Sequence, residues 1–136
     1  MKFSQLAILT AGLFFILAAI WMFCPQLLLT QWGITPSPGT DVLGHRFAAL
    51  YAGLGVMCLF ARHAEPSLAR YALAAGIGTL CLILAVSGVV EWYAGHVNGQ
   101  IVIAVFIELF LGIAFLLSNS VGKKHATGKP GRVKDK

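Results

Sequence analysis

The sequence predicts an all-α fold: a bundle of four transmembrane helices with both termini on the cytoplasmic side. Three observations carry this prediction. Of the 136 residues, 58% are hydrophobic and only 11% are charged, whereas a soluble domain carries about 25% charged residues. The basic residues collect at the C-terminal end, leaving long runs free of charge. Four of those runs reach the roughly 20 residues that a helix needs to cross a bilayer core about 30 Å thick. A spanning segment must also satisfy its backbone polar groups within itself, which a helix does.

The first span runs from about Gln5 to Cys24 without a charge, and Pro25 follows where the helix should stop. Met1 and Lys2 before an apolar run resemble the start of a secretion signal. The run is nevertheless too long for a signal core of about 7–15 residues, and Trp21-Met22-Phe23 offers no small-residue cleavage site. The second span, about Val42 to Ala61, contains Arg46 and His45. The third, about Tyr71 to Val90, is charge-free, and the fourth, about Ile101 to Asn119, holds Glu108. Residues 121–136 form a basic tail, expected to be flexible because it has too few apolar residues to bury.

Orientation follows from Lys and Arg. Lys2, Arg62, Arg70 and the six basic residues of the tail fall on one side, and the first and third loops have none. Both termini are therefore expected in the cytoplasm, with Pro25–Asp41 and Glu91–Gln100 outside, in a multi-pass protein of the bacterial inner membrane. Trp21, Trp32 and Trp92 sit at outer span ends or in outer loops, as interfacial rings would.

This composition excludes a soluble enzyme domain and a disordered chain. It also excludes a nucleic-acid binder, because the net charge of +5 resides in the tail. Lipid gives helices no hydrophobic reason to associate, so close packing of small residues must hold the bundle. Ala74, Gly78, Cys81, Ala85 and Gly88 form such a seam on the third span, and Ala48, Ala52 and Gly55 form a stripe on the second.

Ionisable groups inside a membrane are costly and usually face the bundle interior, which singles out Arg46 and Glu108. At 1.5 Å per residue they lie roughly 5 Å and 10 Å below the outer boundary. Ala104, Glu108 and Gly112 stack on one helix, while Arg46, Ala49 and Gly53 share a stripe on the other. Glu91 and His45 could join them in an outward-opening polar cluster that His96, Asn98 and Gln100 cover. A structural Arg46–Glu108 clasp is the plain alternative. A third is an Arg46 that snorkels to the headgroups and leaves Glu108 alone. Cys24, Cys58 and Cys81 fall on separate spans and read as packing residues. The histidines show no metal-ligand spacing, and no nucleophile–base arrangement is visible. No metal or cofactor is expected.

The segment Arg46 to Gly55 (RFAALYAGLG), the acidic Glu91 after the third span and Glu108 on the fourth resemble the DoxX-like proteins and related domains of unknown function. These are a broad class of small bacterial four-helix membrane proteins. The resemblance covers about Val42 to Asn119. It implies the same fold and draws Arg46, Glu91 and Glu108 together, but it brings no active site.

Three functions fit these residues. The leading expectation is a non-enzymatic accessory or assembly partner, docking a membrane protein or a second copy through Pro25–Asp41. The next is a small oligomeric proton-coupled transporter or channel subunit using Glu108. The last is a membrane enzyme binding a lipid, quinone or small apolar ligand at the outer cluster.

Overall fold

The computed structural model describes the backbone of residues 3–126 and the side chains of residues 3–118. Five helices follow one another: α1 (Phe3–Phe23), α2 (Pro25–Gln31), α3 (Pro38–Ala61), α4 (Leu68–Tyr93) and α5 (Ile101–Ala126). Four of them, with α5 counted over Ile101–Ser118, are long and apolar enough to cross a membrane, so the four-span, all-helical expectation holds. The fifth helix, α2, occupies what the sequence reading took for a loop. Its start and stop are nonetheless written in the chain. Pro25 stands in the first turn, where a missing N–H costs nothing. Gly33, at φ +81°, ends it, with Gly33 N–H donating to Thr30 O at 3.0 Å and Ile34 N–H to Leu29 O at 2.8 Å.

The second and third spans begin earlier than hydropathy suggests because polar caps extend them. Ser37 caps α3: its Oγ accepts from Thr40 N–H at 3.2 Å, while Thr40 Oγ1 accepts from Ser37 N–H at 2.8 Å. Ser67 Oγ accepts from Arg70 N–H at 3.3 Å and starts α4. At the other end of the chain, α5 continues through Ala126, into the segment expected to be a flexible tail from residue 121. Residues 127–136 lie outside the described residues, as do Met1 and Lys2.

Two close pairs build the bundle, and both rest on small residues. In the α1/α3 pair, a Cβ on Gly44 would lie 2.9 Å from Trp21 and one on Gly55 would lie 3.1 Å from Phe15. Ala48 between them is buried. In the α4/α5 pair the expected third-span seam is the contact face: Ala74, Gly78, Cys81 and Ala85 are buried, and a Cβ on Gly88 would meet Val105 at 2.6 Å. The two pairs meet in a core of Leu6, Phe14, Cys58, Ile77, Leu111 and Phe115, contributed by all four spans. Phe3 and Phe115 pack edge to face at 6.3 Å, which sets the start of α1 beside the later part of α5.

Towards the opposite end a second core joins only α1, α2 and α3, through Trp21, Leu29 and Ala48. Trp21 is thus buried against Trp32 and Phe47 rather than exposed as an interfacial ring. One backbone hydrogen bond, from Asn98 N–H to Trp32 O at 2.9 Å, ties this end to the α4–α5 connection.

Candidate functional site

The phase of α3 decides where Arg46 goes. Gly44, Ala48, Gly55 and Cys58 form its buried side. Arg46 lies two residues from Gly44, about half a turn around the helix. It shares its stripe with Leu50, Met57 and Phe60, which are 63%, 49% and 80% exposed. Gly53, on the same stripe, has nothing within 4 Å of where a Cβ would stand. The small residues Ala49 and Gly53 therefore mark an open face, not a helix contact. Arg46 and His45 are both exposed, and among the described residues Arg46 forms no ion pair. The expected Arg46–Glu108 contact is not made. An arginine near the start of a span, on its outer face, reaches the headgroup layer by snorkelling.

Glu91 and His96, expected to line and cover the same cluster, are paired with each other instead. The end of α4 has its C-cap at Ala94, and Gly95 follows in the left-handed region at φ +76°. Gly95 N–H donates to Trp92 O and His96 N–H to Glu91 O, both at 3.1 Å. This reversal folds His96 back over Glu91, and His96 Nδ1 donates to Glu91 Oε2 at 2.6 Å. The side chains are 69% and 52% exposed, so the pair sits on the rim and not in the bundle. Asn98 completes the rim: its Oδ1 accepts from Gln100 N–H at 3.0 Å as the chain enters α5.

Glu108 stays inside. It is half-buried on α5, four residues before Gly112, the point where α5 touches α4. Helix register shows what lies level with it. From the Phe3–Phe115 contact, one heptad along each antiparallel helix leads to Thr10 on α1 and Glu108 on α5. From the Gly78–Gly112 contact, one turn leads to Cys81 on α4 and Glu108 again. The Tyr51 ring packs on Phe14 at 5.8 Å. Thr10 is fully buried, and its Oγ1 has no hydrogen-bond partner.

Thr10, Cys81 and Glu108, from three of the spans, thus lie at one level of the core, and Tyr51 of α3, the remaining span, lies beside Phe14, one turn along α1 from Thr10. Sequence reading found only Glu108. Cys81 reads from sequence as a packing residue, and nothing in the sequence pattern singles out Thr10 or Tyr51. Glu108 has neither a cationic partner nor a hydrogen-bond donor among the described residues. No three His, Cys, Asp or Glu side chains come together as metal ligands among them. The chemistry this level offers is that of an acid: a carboxyl group, without a fixed partner among the described residues, that binds a proton or a cation.

No protein-family model, curated protein or solved structure matches the chain.

Proposed function

We propose that this small multi-pass membrane protein works through Glu108, as a subunit of a proton- or cation-coupled transporter or channel. One observation carries the reading. Glu108 is an acidic side chain near the middle of a span, whereas Asp41 and Glu91 stand near the ends of theirs; it is half-buried in the bundle, and no arginine, lysine or histidine compensates it among the described residues. A carboxyl group in that setting is expensive and by default marks a pathway or relay. Thr10 and Cys81 at the same level, and Tyr51 one turn away, are the polar side chains of the core nearest this level. A bundle of four short-looped spans leaves little room for a private pathway, so the working unit is an oligomer. The basic residues at the ends of the spans support an inner-membrane location with cytoplasmic termini.

The accessory reading has no such support, because the exposed apolar side chains of the spans are what lipid itself covers. The enzyme reading needs Arg46, Glu91 and Glu108 around one cavity, and these lie on an outer face, a rim and the core.

The test is proton flux in proteoliposomes carrying a trapped pH dye, driven by a potassium diffusion potential. The intact chain should pass protons, and Glu108→Gln should abolish the flux. A hydrophobic carbodiimide should add to the Glu108 carboxyl and block it. Equal flux in the two proteins, or none in the intact chain, overturns the proposal.

A further inference from the structure

The end of the bundle where α3 gives way to α4 carries a second site, independent of Glu108. Arg62 and Arg70 flank the short connection between these helices, and both are half-buried. Each is held in place by neutral partners. Arg62 Nε donates to His63 Nε2 at 2.8 Å. The Arg70 guanidinium carbon stands over the Phe3 ring, 3.9 Å from its centroid, and its Nη1 donates to Ala64 O at 3.2 Å. The turn itself is closed by Ala64 N–H donating to Ala61 O at 2.9 Å. Because Arg70 reaches residue 64 and Arg62 bonds residue 63, the two guanidinium groups bracket one turn of chain.

Around that turn Arg62, His63 and Arg70 keep unused donors, and Glu65 is the one carboxylate of the connection. Arg62 keeps both Nη groups and Arg70 keeps Nη2. His63 accepts at Nε2, so its ring proton is on Nδ1 and is available as well. Neither arginine forms an ion pair among the described residues, and Glu65 in the same connection pairs with neither. Two held guanidinium groups and an imidazole N–H, none of them paired with a carboxylate among the described residues, match the oxygens of a phosphate group.

The surroundings select the source of that phosphate. The apolar runs of α3 and α4 end at Ala61 and begin at Leu68, so the arginines stand at the edge of the apolar layer, at headgroup depth. Phe60 and Leu68, beside them, are 80% and 82% exposed, and offer apolar contact for acyl chains. We infer that Arg62, His63 and Arg70 form a binding site for the headgroup phosphate of an anionic phospholipid. Preorganisation by Phe3, Ala64 and His63 lowers the ordering cost and separates this site from diffuse attraction to a basic surface.

The test uses the full chain in neutral detergent, titrated with phosphatidylglycerol or phosphatidylcholine and followed by native mass spectrometry. The intact protein should retain one phosphatidylglycerol about tenfold more tightly than phosphatidylcholine, the effect of one charge-assisted contact pair. R62Q/R70Q should lose that preference. R62K/R70K should lose most of it, since an ammonium group neither stacks flat nor makes two parallel bonds. Tryptophan emission from the far end of the bundle reports folding. Should the double variants fail that check, R62Q alone, whose side chain bonds only its neighbour His63, gives the reading and should show a several-fold loss. Wild-type preference in the folded glutamine or lysine variants overturns the proposal. So does displacement of the lipid by an equal concentration of inorganic phosphate, which would mark a site for the free anion.

Discussion

Replacing Gly112 by alanine places a methyl group where α4 and α5 approach most closely. The new Cβ would stand 2.9 Å from Cγ and Cδ2 of Leu82 and 3.2 Å from the carbonyl oxygen of Gly78. Carbon atoms attract best at about 3.5–4.0 Å, so Leu82 has to withdraw by roughly 0.6–1.1 Å. Rotation about its side-chain bonds can move Cγ and Cδ2, but the Gly78 carbonyl oxygen belongs to the backbone, and α4 must therefore shift to relieve that contact. Overpacking of this kind costs about 1–3 kcal/mol. Alanine recovers up to about 1 kcal/mol through its helix propensity, which leaves a net loss of roughly 1–2 kcal/mol.

Gly76 supplies the control on the neighbouring helix. It lies two residues before Gly78, and nothing stands within 4 Å of its missing Cβ. Gly76→Ala should be neutral, or more stable by up to about 1 kcal/mol. The assay is reversible unfolding in mixed micelles titrated with a denaturing detergent and followed by far-ultraviolet circular dichroism. If the two variants unfold within about 0.3 kcal/mol of each other, the close α4–α5 contact is not what holds this half of the bundle, and the reasoning fails.

Gly95→Ala forces an alanine into the left-handed region at φ +76° and should cost roughly 1–2 kcal/mol in the same unfolding assay. Glu91→Gln breaks an exposed pair and should cost about 0.2–1 kcal/mol, with proton flux in proteoliposomes unchanged. Thr10→Val removes a buried hydroxyl that has no partner. It should raise stability by about 1 kcal/mol, seen as a higher thermal midpoint, because the unpaired group disappears while its shape remains. A double-mutant cycle on Arg46→Ala and Glu108→Gln should give a coupling energy within about 0.5 kcal/mol of zero, as expected for residues without shared partners. A larger coupling would restore the clasp between them.

The spans were legible because a bilayer imposes length and apolarity on every segment that crosses it, and these requirements sit in local sequence. The third-span seam was legible for a related reason: Ala74, Gly78, Cys81 and Ala85 repeat on one face, and that face is the buried one. The site was less so. On the second span two stripes of small residues compete, one through Gly44, Ala48 and Gly55 and the other through Ala49 and Gly53. Sequence alone does not say which is covered. The choice is made on α1, where Trp21 and Phe15 present rings that require the glycines at 44 and 55. Helix α2 was missed because seven residues with apolar character look like the continuation of a loop unless Pro25 and Gly33 are read as its two ends.

The same packing explains why Arg46 and Glu108, both charged residues within spans, meet different fates. Each is placed by its angular distance from a glycine at a close contact. Glu108 is four residues from Gly112, one turn along the same face, and the approach of α4 that Gly112 permits carries Glu108 into the core. Arg46 is two residues from Gly44, on the opposite face, and the approach of α1 that Gly44 permits turns Arg46 outward. Small residues next to a charge in sequence therefore say little about its burial. Small residues in register with it, and with a bulky partner across the interface, decide it. By that rule Thr10 is drawn inward with Leu6 and Phe14 one turn to either side. The polar level around Glu108 is thus a consequence of where the aromatic rings of α1 and the glycines of α3, α4 and α5 come together.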